Sequence, residues 1–232
     1  MTRKKNMKPN EYLNIFCDFD GTITYYDTTD SLLKTFADPA WERIEEEWER
    51  GEIGSLKCLE KQIQLLDMSK EELDAHLDQI EIDPDFEEFV QVVQEQGHQV
   101  TIVSDGLSYS IHRILGRYGI TDLHIFANRL HRKSQRSWSI SFPNADENCT
   151  YASGHCKCKT MKNELFLKQG QRPAMLIGDG RSDFCAAGAA NFVFAKSKLI
   201  QHCIENGIAH FPIKNFKEAL QLLNQILTPT KH

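Results

Sequence analysis

The chain has 232 residues, 41% of them hydrophobic and 26% charged, which suits one globular domain carrying a sizeable insertion. Its net charge of −6, from 27 basic against 33 acidic residues, argues against a nucleic-acid surface, and no apolar run approaches membrane-spanning length. The basic start lacks an apolar h-region and reads as a frayed tail, and seven cysteines without a secretion signal point to reduced thiols in a cytoplasmic setting.

The first apolar run, "YLNIFC" (12–17), ends in Asp18 and Asp20, with Gly21 and Thr22 directly after. Positions i and i+2 of an extended backbone project to one side, so both carboxylates face one pocket, and a divalent cation would relieve their repulsion. Residues 27–96 are helical by their punctuation. Asp38-Pro39 and Asp83-Pro84 each pair an N-cap with proline, Ser69 and Glu72 have capping-box spacing, and Leu56, Leu59, Ile63 and Leu66 form an apolar stripe. Six glutamates between Glu42 and Glu52, interleaved with Arg43 and Arg50, read as a solvated helix face. The segment is expected to be a small helical cap inserted into a core made of 1–26 and 97–232; the alternative is a helical extension of a single core.

A second run, "HQVTIV" (98–103), leads into Ser104 and Asp105 and then a helix with Ile111, Ile114, Leu115 and Tyr118 on one face, stopped by Gly119. Residues 123–142 alternate apolar with polar around a polar turn, as a hairpin does. A helix is expected over 158–170, a third run "PAMLI" (173–177) before Gly178 and Asp179, a helix over 182–190, a strand at 191–195 and an amphipathic helix over 216–227. Runs apolar on both faces, each followed by a helix, predict an α/β fold: a Rossmann-like three-layer core with a mostly parallel sheet. Ligands then bind beyond the carboxyl ends of the strands, where the polar residues gather.

Their chemistry is consistent. Asp18, Asp20, Asp179 and Asp183 offer only oxygen, which suits a hard cation such as Mg²⁺ and disfavours zinc. Ser104 offers a hydroxyl and a backbone N–H at a helix start, an anion seat, and Lys159 or Lys162 could neutralise the remaining phosphate charge. An EF-hand lacks its later ligands, and "GDGRSD" lacks the third glycine of a dinucleotide loop. "CTYASGHCKCK" invites a zinc reading through Cys149, His155, Cys156 and Cys158. The single residue between Cys156 and Cys158 is tighter than usual, so free thiols are preferred. Cys17 and Cys185 are read as small core residues.

"DFDGTIT", "VSDG", the lysine in "CKCKTMK" and "GDGRSDF", in that order across nearly the whole chain, resemble the phosphatases of the haloacid dehalogenase superfamily. The resemblance implies Asp18 as the nucleophile that becomes an aspartyl-phosphate, and Asp20 as general acid and then base. It implies Mg²⁺ held by Asp18, the Asp20 carbonyl, Asp179 and Asp183, and phosphoryl oxygens held by Ser104, Asp105, Gly106 and, in preference to Lys162, Lys159. The presence of Asp20 favours a phosphatase over a dehalogenase, which has no leaving alcohol to protonate. A non-catalytic binding member and a phosphomutase are the other classes to consider.

The cap position resembles the phosphoserine-phosphatase-like branch, where Asp27 would meet a substrate amino group. Gln62 falls where that branch has a carboxylate-binding arginine, a contact an amide cannot replace. "VSDGLSYSIHRIL", "FANRL", "GHCKCK" and "GDGRSDFCAA" are more similar to the methionine-salvage group acting on a methylthiopentenyl phosphate. They are less similar to the phosphoethanolamine/phosphocholine branch, in which Asp27 and Asp105 would attract a cationic head group. The expected partner is a small phosphorylated metabolite, with no nucleic acid and no membrane.

Overall fold

The computed structural model describes residues 12–167 and 172–227; the expected basic tail and the end of the helix predicted over 158–170 lie outside them. The elements in chain order are β1 (Asn14–Cys17), α1 (Thr28–Phe36), α2 (Trp41–Glu49), α3 (Ser55–Ile63), α4 (Lys70–Leu77), α5 (Phe86–Glu95), β2 (Gln99–Leu107), α6 (Ser108–Arg117), β3 (His124–Arg132) and β4 (Trp138–Ser141). There follow α7 (Lys157–Leu167), β5 (Ala174–Gly178), a 3-10 turn (Arg181–Asp183), α8 (Phe184–Ala189), β6 (Phe192–Ala195), α9 (Ser197–Glu205), β7 (Phe211–Pro212) and α10 (Phe216–Leu227). Among the described residues no helix is long and apolar enough to cross a membrane.

The strands form one sheet in the order β4-β3-β2-β1-β5-β6-β7, parallel except for the β3–β4 hairpin at one edge. The fold is therefore α/β with a mostly parallel sheet. All four residues of β1 are buried, as are all five of β5, because helices cover both faces and both sets of side chains meet apolar neighbours. Register decides what meets at the strand ends. Cys17 pairs with Ile102 on one side and Ile177 on the other, so the residues just beyond them, Asp18, Ser104 and Asp179, emerge along one edge.

Helices α1 to α5 all lie between β1 and β2. The capping box forms as expected, with Glu72 N–H donating to Ser69 Oγ and Ser69 N–H donating to Glu72. The aspartate-proline pairs sit earlier than expected. Asp38 and Asp83 accept the amides of Ala40 and Asp85, two residues on, making turns ahead of α2 and α5 rather than caps on them. Asp83 also accepts the Phe216 amide and so ties α10 to this segment, while the Phe86, Phe89 and Phe216 rings pack together at 4.8 and 5.1 Å. One continuous apolar cluster runs from Ile15 and Ile102 in the sheet to Leu33, Ile63 and Leu77 in the inserted helices. Of the predicted stripe, Ile63 and Leu66 are buried, while Leu56 and Leu59 are only partly covered.

Candidate active site

The loop after β1 folds back at once. Thr22, Ile23 and Thr24 all donate backbone N–H groups to the Phe19 carbonyl, and Gly21 takes a positive φ of 72°. A side chain at Gly21 would also strike the Asp179 carboxylate, so both conformation and space exclude one. The turn buries Asp18, whose Oδ1 accepts the Phe19 amide at 2.7 Å. Asp20 Oδ1 accepts the Thr28 amide at 2.8 Å at the start of α1, and Ser104 Oγ lies 3.5 Å from its other oxygen. Gly106 matters through what it lacks: a Cβ there would lie 2.3 Å from Asp20 Oδ2.

The cation beside Asp18 is Lys157, which corrects the expectation of Lys159. Lys157 is fully buried at the start of α7, its Nζ 2.7 Å from Asp18 Oδ2 and 2.7 Å from Asp183 Oδ1. Lys159 points outward, 45% exposed and 3.6 Å from Asp146, and Lys162 is exposed as well. Asp183 is held from its other side by the amides of Asp179 and Gly180. Asp179 accepts the Thr22 hydroxyl at 3.3 Å, and Lys196 donates to the Thr22 carbonyl, fastening the β1 loop to the neighbouring strand ends.

Asp105 is also placed differently from expectation. Its carboxylate accepts the Ser55 hydroxyl from α3, the His155 amide at 2.7 Å and Asn128 Nδ2 at 3.1 Å. A carboxylate so occupied ties the helices between β1 and β2 to the core, which leaves the Asp105 backbone N–H as its group for a phosphate. The amide of Gly106 is turned onto Ser104 Oγ at 2.9 Å. His155 is not a metal ligand either: its Nδ1 meets the Ser104 carbonyl and its Nε2 meets the Thr160 hydroxyl, both at 2.8 Å. Asn128 and Ser55 carried no signal in the sequence, because each acts only through a residue far away along the chain.

The electrostatics are those of a crowded acid cluster. Burial, and then the Asp183 charge, push Asp18 well above the ordinary carboxylate range despite Lys157. The same two causes raise Asp179 to about 6. Burial raises Asp20 to about 7, with the Asp27 charge adding to it. Burial would lower Lys157, but the Asp18 and Asp183 carboxylates outweigh it and hold the ammonium charged. One ammonium thus serves several acids. Oxygens of Asp18, Asp179 and Asp183 lie within 4.8 Å of one another, a donor set with the size and hardness for a divalent cation such as Mg²⁺.

Asp18, Asp20, Ser104 and Asp179 open into a cleft of about 800 Å³ whose far wall is formed by the inserted helices. That wall carries Asp27, Asp30, Glu45 and Glu49 with Tyr25, Tyr26, Trp48 and Leu59. Asp27 caps α1 by accepting the Asp30 amide at the rim of the cleft, where its side chain is exposed. Gln62 donates to Glu45 at 2.9 Å. Arg181 stacks on Trp48 and donates to the carbonyls of Trp48 and Glu49, joining the 3-10 turn to α2.

A buried aspartate at a parallel-strand end, a second aspartate two residues on and a buried lysine between acids are the arrangement of a haloacid dehalogenase-like hydrolase. The chain belongs to that family, whose model matches residues 15–188. Within it, the chain is a phosphatase acting on phosphoric monoesters. It is 31% identical over 217 residues to the 2-hydroxy-3-keto-5-methylthiopentenyl-1-phosphate phosphatase of Brevibacillus brevis, covering 92% of this chain and 96% of the relative. It is 33% identical to the Bacillus velezensis enzyme of the same name, covering 88% and 86%. In fold it is similar to a substrate-bound phosphoserine phosphatase, with a TM-score of 0.70 at 19% identity, covering 93% of this chain and 99% of the other.

Proposed function

We propose that the protein hydrolyses a small-molecule phosphate monoester in two steps through an aspartyl-phosphate on Asp18. The observation that carries this reading is the placement of Asp18 and Asp20 at one cleft floor with different partners. Asp18 is held by Lys157 at 2.7 Å, whereas Asp20, raised to about 7, is poised to hold or release a proton near neutral pH for a leaving alcohol. Asp18 attacks the phosphorus and Asp20 protonates the departing oxygen. Asp20, now ionised, then takes a proton from the water that cleaves the acyl-phosphate. Ser104 and Lys157 are the donors for the non-bridging oxygens. Mg²⁺, held by Asp18, Asp179 and the Asp20 carbonyl, would supply charge neutralisation of the phosphoryl group. Asp183 keeps Lys157 and the 179–180 turn in place. The helical segment 27–96 acts as the cap that keeps bulk water out.

For the substrate, the relatives' names support a methylthiopentenyl phosphate or a near analogue, and Tyr25, Tyr26, Trp48 and Leu59 supply apolar wall for such a tail. A cationic head group is the second reading, supported by Asp27, Asp30, Glu45 and Glu49 on the same wall. Phosphoserine fits poorly: Gln62 is committed to Glu45, and four acids oppose a substrate carboxylate. The test is phosphate release from an aryl phosphate and from a metabolite panel, with Mg²⁺, with EDTA and for Asp18→Asn. Release is expected to need Mg²⁺ and Asp18 and to be fastest with the methylthiopentenyl ester. Preference for phosphoethanolamine selects the second reading, and brisk phosphoserine turnover overturns this ordering. A folded, magnesium-loaded protein that releases nothing is a binding protein instead.

A further inference from the structure

Four cysteines from three segments gather near Lys157, three of them with sulfurs close to one another. Cys156 and Cys158 flank that lysine, Cys149 comes from the preceding loop, and Cys185 follows Asp183 by two residues on α8. The sulfurs of Cys156, Cys158 and Cys185 lie within 4.8 Å of one another, and Cys149 neighbours Cys156 outside that group. Cys158 and Cys185 are joined as a disulfide, against the expectation that every thiol is reduced, while Cys149 and Cys156 are free. A disulfide accounts for two of the four sulfurs and leaves the other two crowded beside it, with Cys156 3.5 Å from Cys158.

The Lys159 and Thr160 amides close onto the Cys156 carbonyl, fixing Cys156 at the start of α7 with its sulfur 3.5 Å from that of Cys158. The thiolate is the form that ligates metal. Tetrahedral zinc with Zn–S of about 2.3 Å sets its sulfurs about 3.8 Å apart, close to the Cys156–Cys158 separation.

We propose that Cys149, Cys156, Cys158 and Cys185 form a tetrathiolate zinc site in the reduced protein. The disulfide first takes up two electrons from a dithiol, which is itself oxidised to a disulfide, and two protons complete the thiols. Zinc(II) then displaces four thiol protons without any further redox change. The site pins the loop before α7 to the helix that follows Asp183, and so fixes the backbone on both sides of the Lys157–Asp183 contact. His155, the one imidazole in this stretch, takes no part, since both its ring nitrogens are engaged. This role is structural and is distinct from the carboxylate cluster in the cleft.

The test is elemental analysis and cobalt substitution of reduced, anaerobically purified protein, neither of which depends on phosphate release. One zinc per chain is expected. The cobalt form should show thiolate-to-metal charge transfer with the visible bands of a tetrahedral site. Cys149→Ser and Cys185→Ser should each lose the metal, whereas Cys58→Ser, altered in α3, should keep it. If either ligand variant fails to fold, the wild-type cobalt spectrum still decides. Reduced protein without zinc, cobalt lacking thiolate charge transfer, or metal retained in both ligand variants would each overturn the proposal.

Discussion

Replacing Lys157 by methionine removes the ammonium that touches both Asp18 and Asp183 at 2.7 Å and leaves those buried carboxylates facing each other. Breaking a buried ion pair from one side costs about 3–5 kcal/mol, because the remaining charge has no solvent to turn to. Here two acids share the lost partner, so the cost belongs at the upper end of that range in the absence of divalent cation. It should shrink at low pH, where the acids take up protons, and when Mg²⁺ is supplied. Activity should fall further, by at least about a hundredfold, because the donor proposed for the transferring phosphoryl group is lost along with the positioning of Asp18. Lys159→Ala is the matched control: a half-exposed side chain 3.6 Å from Asp146 contributes at most about 1 kcal/mol. Urea unfolding in EDTA and in Mg²⁺, with kcat for both variants, measures each quantity. Near-normal stability and turnover in Lys157→Met, with loss of turnover in Lys159→Ala, would refute the assignment.

Gly106→Ala places a methyl group 2.3 Å from Asp20 Oδ2, so the proposed proton donor must move; kcat should drop about a hundredfold with the chain still folded, and an unchanged kcat would count against Asp20 as the acid. Ser55→Ala removes both a donor to Asp105 and the acceptor of the Gly154 amide, and should cost about 1–3 kcal/mol in thermal or chemical unfolding; an unaltered midpoint would show that this tie is not structural. Burial lowers His155 from 6.5 to about 4, so the unfolded chain binds its proton first. Stability from this group is complete above pH 6.5 and is lost as pH falls toward 4, by about 3 kcal/mol in all. Unfolding free energies of wild type and His155→Asn should therefore diverge at neutral pH and converge in acid; parallel curves would dismiss the effect.

Much of the site is legible along the chain because its signals are local. Asp18 and Asp179 directly follow apolar strands, Asp20 comes two residues later and Ser104 lies in the polar end of β2, and a parallel sheet brings strand ends to one edge whatever lies between them. The capping box at Ser69 and Glu72 is likewise a contact three residues long. The lysine is different. Lys157 and Lys159 sit two positions apart at the start of α7, about 200° around the helix from each other, so one must face inward when the other faces solvent. Which of them does so depends on how α7 packs on the sheet, and nothing in "CKCKTMK" encodes that choice.

The same holds for the Asp105 carboxylate, held by Ser55, Asn128 and His155, and for Cys185, which meets the other sulfurs only because α8 lies beside α7. Amino-acid order determined the strands, their acidic ends and the helical insertion between β1 and β2, since these rest on periodicity and turn chemistry within a few residues. Only the folded chain decided which cation enters the acid cluster and which polar groups satisfy one another across long separations. Burial and hydrogen-bond pairing are properties of the assembled interior, where each group's cost or benefit depends on neighbours remote in sequence.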